Sequence, residues 1–273
     1  MTEKNITFIG AGNMASALIG GLVKQGWSAS QFTVADPYQP GLERLVKDYG
    51  VKVASDNAAA ASNADVVVLA VKPQVMREAI EQCKQALNTQ QPLIISIAAG
   101  ITIEKLSLWA GADLAIVRCM PNTPALVQQA ATALYANPKV TTQQQELAQS
   151  ILNAVGISCW VDEEALLDAV TAVSGSGPAY FFLVMEAMQN SAAAMGMPAE
   201  MARQLVQQTA LGAAHMAQQS AVDVAELRRR VTSPGGTTEQ ALAVLQDGQL
   251  EALFDRALRA AQKRSVELAN GNE

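Results

Sequence analysis

The chain has 273 residues, half of them apolar and 16% charged, with a formal net charge of −6 from 19 Lys and Arg against 25 Asp and Glu. That length supplies one large domain or two around a substantial core, and an acidic balance without a basic run argues against a nucleic-acid partner. No unbroken apolar stretch reaches the ~20 residues of a membrane span, and Met1-Thr2-Glu3-Lys4 leads straight into a strand pattern rather than a signal peptide, so a cytoplasmic protein without membrane contact is expected.

Ile6-Thr7-Phe8-Ile9 is a short apolar run, followed at once by Gly10-Ala11-Gly12-Asn13-Met14-Ala15. Leu18, Ile19, Leu22 and Val23 then recur at helical spacing, with Gly26 as a closing residue. Strand, glycine turn and helix in that order form a dinucleotide fingerprint: Gly10 permits the tight turn and Gly12 lets backbone approach a pyrophosphate. Ala15 keeps helix and strand close. Phe32-Thr33-Val34-Ala35 is the second strand and ends at Asp36. An acid there suits the ribose hydroxyls of NAD and disfavours the 2′-phosphate of NADP. The alternative is that Asp36 only starts the turn before Pro37.

Leu42, Leu45, Val46 and Tyr49 mark a helix face, followed by a Val51–Val53 strand and a small Ala-rich helix after Asp56-Asn57. Val66 to Val71 is continuously apolar, as in a strand buried on both faces of a parallel sheet. It stops at Lys72-Pro73, while Leu93–Ile97 ends in Ala98-Ala99-Gly100 and Ala115–Arg118 runs into Met120-Pro121-Asn122-Thr123-Pro124. Three strands thus finish in small, Gly- or Pro-bearing segments on the edge where ligands bind in open α/β sheets. Thr132–Ala136 and Ile157–Val161 are further strands around a Gln-rich helix from Thr142 to Val155, and the first domain, 1–161, closes near Val161.

From 162 to 273 the pattern is helical: Ala165–Val173, Ala179–Met195, Ala199 to about Gln219, Val222–Arg230, and two helices beyond. The Ala179–Met195 segment is apolar on nearly every side and must be buried in a bundle or against another subunit. So many small and Met side chains predict a homodimer or higher oligomer with sites formed between subunits. Within this half, Val231-Thr232-Ser233-Pro234-Gly235-Gly236-Thr237-Thr238 places two glycines before a helix start. A helix start with free N–H groups can hold a small carboxylate or phosphate, although a plain helix–helix turn fits the same residues.

Cys83, Cys119 and Cys159 fit neither a zinc pattern nor a disulfide framework, so no metal is expected and all three read as buried thiols. The only histidine, His215, lies in an Ala-rich helix and is a poor candidate base. The residues together describe an α/β Rossmann domain followed by an all-α domain, and a nicotinamide-dependent reductase or dehydrogenase acting on a small acidic substrate. Hydroxyacid dehydrogenases of this architecture carry G-x-G-x-x-K-x-x-x-N. The matching frame from Gly175 and Gly177 has Tyr180 at the Lys position and Val184 at the Asn position. No amine is there to shuttle a hydroxyl proton, whereas an imine can enter already protonated.

The chain resembles the pyrroline-5-carboxylate reductase family over nearly its whole length. The resemblance rests on Phe8–Met14, Ala70-Val71-Lys72-Pro73, Ser96–Gly100, Met120–Ala125, Ser174–Tyr180 and Val231–Thr238. It implies reduction of 1-pyrroline-5-carboxylate to L-proline, the last step of proline synthesis, with NADPH or, as a second possibility, NADH. It also implies a Rossmann domain with a helical dimerisation domain whose dimers often form decamers. Pyrophosphate contacts are implied for Ile9, Gly10, Ala11, Gly12, Asn13 and Met14. Ribose and nicotinamide contacts are implied for Asn57, Ala70, Val71, Lys72, Pro73, Ala98 and Ala99. The substrate carboxylate falls to Ser233, Pro234, Gly235, Gly236, Thr237 and Thr238, with Thr238 as the catalytic hydrogen-bond partner or proton donor at the ring nitrogen. The competing readings are another imine or β-hydroxyacid reductase on this scaffold, or a non-catalytic NAD(P)-sensing protein.

Overall fold

The structure is a computed structural model describing residues 4–271; Met1–Glu3, on which part of the N-terminal reading rested, lie outside the described residues. The first half alternates strand and helix: β1 Ile6–Ile9, α1 Asn13–Lys24, β2 Phe32–Ala35, α2 Gln39–Tyr49, β3 Lys52–Val53, α3 Asn57–Ala61, β4 Val66–Leu69, α4 Met76–Gln90, β5 Leu93–Ser96, α5 Ile103–Ala110 and β6 Ile116–Met120. β7 Ala130–Ala136, α6 Thr142–Asn153 and β8 Gly156–Trp160 complete it. The strands form one sheet in the order β3-β2-β1-β4-β5-β6-β7-β8. All neighbours run parallel except β6 and β7. Strand order reverses at β1, whose Ile6 pairs with Phe32 of β2 on one side and Val66 of β4 on the other. That reversal opens a crevice at the carboxyl ends of β1 and β4, the place where doubly wound folds take ligands.

The alternation of side chains along each strand feeds two cores. Ile6 and Phe8 of β1 and Val66 and Val68 of β4 pack with Leu18, Ile19 and Leu22 of α1. Ile9, Val67 and Leu69 point the other way and pack with Ile80, Cys83 and Leu87 of α4. A strand covered on both faces has no polar positions to alternate, which explains the unbroken Val66–Leu69 run. Two helices, α4 and α5, are absent from the expected elements. Their signals were present: Met76, Ala79, Ile80, Cys83 and Leu87 are buried at helical spacing, and the Thr102 side chain caps α5 by accepting from the Lys105 N–H.

After β8 come α7 Leu166–Val170, a π-helical turn Thr171–Gly175, α8 Gly177–Ala194, α9 Ala199–Gln219, α10 Val224–Arg230, α11 Thr237–Asp247 and α12 Leu250–Gly271. The chain divides into two compact units, one reaching Ser176 and taking in Ala260 onward, the other spanning Gly177–Arg259. This division falls later than the expected break near Val161. The reason is visible in two bonds: Ser265 of α12 donates to Asp168 of α7 at 2.6 Å, and Lys105 of α5 donates to the Ala269 carbonyl at 2.8 Å. Within the second unit α8 packs on α9, burying Ala192, Ala202 and Val206.

Two expectations need correction and a third is narrowed. Of the two placements expected for α8, burial in a bundle of one chain is not found, because Phe181, Phe182 and Leu183 are 68%, 63% and 66% exposed. Leu166–Ala194, which carries Gly175, Gly177 and Pro178, is nevertheless long and apolar enough by composition to cross a membrane. Cys83 and Cys119 are buried but Cys159 is exposed, since β8 is the outer strand of the sheet.

Candidate active site

The glycine turn after β1 is held by the ends of its neighbours. Gly10 adopts φ +109 and donates to the Ala35 carbonyl at 2.8 Å. A Cβ on Gly10 would meet the Ala70 carbonyl oxygen at 2.7 Å, so both conformation and space demand glycine. Gly12 differs. Its backbone is extended, and a Cβ there would meet nothing within 4 Å. No side chain caps α1, so its first-turn amides lack a side-chain acceptor beside that open space. A dinucleotide pyrophosphate fits this cradle: a methyl would fill the space, and the amides and helix dipole suit an anion.

Asp36 stands between two cavities. The first, about 340 Å³, is lined by Asp36, Ser55, Asp56, Asn57, Glu78 and Gln82 among others. The second, about 250 Å³, is lined by Ala11, Gly12, Asn13, Asp36, Tyr38 and Arg44 among others. One Asp36 oxygen accepts the Ala11 N–H at 2.6 Å and the other the Tyr38 N–H at 2.7 Å. The turn chemistry before Pro37 is thus real, and it also anchors the glycine loop. The fold brings Asn57 to the same cavity as Asp36 and Val71, where its side-chain amide donates to Gln82 at 2.7 Å. The Asp56 carboxyl is held below its ordinary range, first by the Ala59 N–H at the start of α3 and then by the Ser55 hydroxyl. Burial, with help from Asp56, pushes the Cys83 thiol up to about 12, and burial alone raises Cys119, so neither supplies a thiolate.

The carboxyl edge continues at Ala70, whose N–H donates to the Ile9 carbonyl at 2.8 Å, and Ile97, whose N–H donates to Leu69 at 3.3 Å. Lys72 is exposed and precedes a 3-10 turn at Pro73–Val75, while Ala98 is buried and Ala99 half-buried. Two residues at this edge were not singled out from sequence. Asn122 donates to the Ser174 carbonyl and accepts the Ala131 N–H, both at 3.0 Å, tying the β6 exit to β7 and the π turn. Arg118, 4% exposed, donates to Glu164 at 2.9 Å, and the same carboxylate oxygen accepts the Ile103 N–H at 2.9 Å. The Met120–Pro124 motif was legible, but as a loop; nothing in the pattern revealed its long-range partners.

In the second unit, Ser233–Thr238 joins α10 to α11. Gly235 has φ +71, the Gly236 N–H donates to the Ser233 carbonyl at 3.0 Å, and Thr237 and Thr238 open α11 without a side-chain cap. The Gly235 N–H already holds a carboxylate: it donates to Glu239 at 2.7 Å. Gly235 and Gly236, expected to bind substrate through their N–H groups, are therefore internally bonded here, while Thr237 and Thr238 present exposed side chains at the helix start. A larger cavity of about 850 Å³ lies against Arg228, Leu242, Leu245 and Phe254, and none of Ser233–Thr238 lines it. His215 is exposed on α9.

A parallel sheet reversing at β1, a glycine cradle for pyrophosphate and a helical C-terminal unit with an uncapped helix start define a dinucleotide-binding oxidoreductase. Comparison with known proteins is consistent with this class. Residues 5–100 match the model described as NADP oxidoreductase coenzyme F420-dependent, and residues 164–268 match pyrroline-5-carboxylate reductase dimerisation. A pyrroline-5-carboxylate reductase of Pseudomonas aeruginosa is 52% identical over 269 residues, covering 98% of each chain. The solved structure of one from Coxiella burnetii superposes with TM-score 0.94 at 46% identity, covering 98% of this chain and 99% of that one. A pyrroline carboxylate reductase of Plasmodium falciparum with NADP bound gives TM-score 0.86 at 30% identity, covering 98% and 99%. The chain belongs to the pyrroline-5-carboxylate reductase family, whose members are NAD(P)-dependent oxidoreductases acting on a CH–NH imine.

Proposed function

We propose that the chain reduces the C=N bond of 1-pyrroline-5-carboxylate to L-proline, the closing step of proline biosynthesis, and that the residues divide the work as follows. The uncapped start of α11, with a carboxylate already on the Gly235 amide, carries the substrate assignment. Ser233, Pro234, Gly235, Gly236, Thr237 and Thr238 form the loop for the substrate carboxylate, which takes the place of Glu239 on the Gly235 N–H at the positive end of α11. Thr238 bonds the ring nitrogen. Ile9 to Met14 cradle the pyrophosphate, Asp36 and Asn57 serve the adenosine end, and Ala70, Val71, Lys72, Pro73, Ala98 and Ala99 border the nicotinamide half of the crevice.

When bound, the reduced nicotinamide supplies a hydride to the imine carbon; NADPH is the coenzyme the family implies, with NADH the second candidate. An iminium accepts hydride without a strong base, which agrees with Tyr180 standing where hydroxyacid dehydrogenases have Lys. The chain's contribution is placement: reacting atoms held ~3–3.5 Å apart gain much of the rate from orientation alone. The functional division is 1–161 for the dinucleotide and 162–273 for substrate and dimerisation, supported by the dimerisation model beginning at 164. The exposed apolar face of α8 is the homodimer interface rather than a membrane surface, and the dimer of this cytoplasmic enzyme is the unit from which decamers are built.

Thr238→Ala should lower kcat/KM by roughly 10- to 150-fold, the ~1.5–3 kcal/mol of a charge-assisted hydrogen bond. NAD(P)H oxidation with pyrroline-5-carboxylate measures it. Wild-type turnover in that variant removes Thr238 from the mechanism.

A further inference from the structure

We propose that NADH, not NADPH, is the preferred coenzyme, because the cavity at the end of β2 is lined by acceptors and carboxylates that reject a 2′-phosphate. The inference rests on the family's dinucleotide reading and departs from the coenzyme the resemblance implies. Three carboxylates, Asp36, Asp56 and Glu78, line this 340 Å³ space, and among the described residues no Lys or Arg does. Arg44 lines the adjoining cavity, which Asp36 also borders, with Gly12 and Asn13.

The hydrogen bonds in the cavity run in one direction. The Asn57 side-chain amide donates to Gln82 at 2.7 Å, and the Gln82 amide donates to Glu78 at 3.2 Å. Asp56 accepts from the Ala59 N–H at 2.7 Å and the Ser55 hydroxyl at 3.0 Å. Each side-chain amide thus spends one of its two N–H donors inside the wall, while Glu78, Asp56 and Asp36 line the space with carboxylates that keep lone pairs. Each Asp36 oxygen takes one backbone N–H, at 2.6 and 2.7 Å, so its carboxylate is fixed and each oxygen keeps a lone pair for a ribose hydroxyl. The adenosine of NADH offers donors, two ribose hydroxyls and the adenine amine. A 2′-phosphate offers only acceptors and brings about −1.5 to −2 charges at neutral pH. Like charges with no cation lining the same cavity discriminate by repulsion, the element that specificity requires as much as attraction.

Steady-state rates with both coenzymes test the proposal. NADH should exceed NADPH in kcat/KM by about tenfold or more, a difference of ~1.4 kcal/mol per decade. Asp36→Asn keeps one of the two acceptors that hold the loop and so weakens both coenzymes somewhat, and Glu78→Gln keeps the size of the side chain; each should move the ratio toward NADPH by several-fold. The KM for NADPH should also fall as salt rises, since screening weakens exposed repulsion, while that for NADH stays nearly level. Equilibrium binding of NAD+ and NADP+ reads the preference without turnover. Tighter NADP+ binding in wild type, with a ratio insensitive to both variants, overturns the proposal. Tighter NAD+ binding without reduction of pyrroline-5-carboxylate sustains it and removes the substrate reading instead.

Discussion

The two glycines of the β1 turn should separate folding from binding when each is replaced by Ala. At Gly10 the new methyl meets the Ala70 carbonyl oxygen and carbon at 2.7 and 2.8 Å, both backbone atoms, and φ is +109. A non-glycine residue in a sparse backbone region costs about 1–3 kcal/mol, and overpacking adds about 1–3. Of a typical stability of about 5–15 kcal/mol, that is a large share. At Gly12 the backbone is φ −73, ψ −176, and the methyl enters open space. Ala is a poorer helix cap than Gly by roughly 1 kcal/mol, offset by about 0.4–1 from the stiffer unfolded chain. Net stability should thus stay within about 0.5 kcal/mol of wild type. The methyl sits where the pyrophosphate would meet the α1 amides. Losing one charge-assisted bond, about 1.5–3 kcal/mol, raises Kd roughly 10- to 150-fold. Urea unfolding and calorimetric coenzyme titration on both variants measure the two effects. Wild-type Kd in Gly12→Ala, or wild-type stability in Gly10→Ala, refutes the separation of roles.

Glu164→Ala should cost about 2–4 kcal/mol, somewhat under a fully buried pair, because the Glu164 side chain is 26% exposed against 5% for Arg118. It strands both the guanidinium and the Ile103 N–H; a lower urea midpoint at constant m value shows it, and an unchanged midpoint denies it. Phe182→Glu places a charge among the exposed apolar residues of α8 and should reduce the light-scattering mass to that of one chain with helix content retained. An unchanged mass would take Phe182 out of the interface.

The Rossmann half was legible because its signals are local. Ile6–Ile9 and Phe32–Ala35 appear in the structure with the bounds read from sequence, since each apolar run is cut at once by glycine or an Asp-Pro turn. The fingerprint, the acid after β2 and the small-residue strand exits all lie within a few residues of the backbone features they create. What stayed hidden depends on contacts between distant segments. Asn122 reaches Ser174 across 52 positions, and Glu164 reaches Arg118 across 46. The apolar circumference of α8 was legible in the sequence, but what covers it was not, since Phe181, Phe182 and Leu183 stay exposed in one chain. The Ser233–Thr238 segment lay between these cases. Its glycines announced a turn, whereas the Glu239 carboxylate on the Gly235 amide is a choice among side chains that spacing does not dictate.

Asp36 shows why two readings of one residue need not compete. Its carboxylate caps the turn at Tyr38 and, through the Ala11 N–H, pins the loop whose next residue is Gly12. The same loop is fixed from the other side, where Gly10 donates to Ala35 and lies against the Ala70 carbonyl. The glycine loop proposed for the pyrophosphate and the acid proposed for the ribose are therefore parts of one hydrogen-bonded assembly rather than neighbouring sites. An apolar replacement at Asp36 would free the Ala11 amide and loosen the cradle, which weakens both dinucleotides whatever it does to the choice between them. A change of coenzyme must leave an acceptor in place and alter only the charge. In this chain Asp36 is first a structural residue, and the selectivity proposed for it follows from where that structural duty has fixed its oxygens.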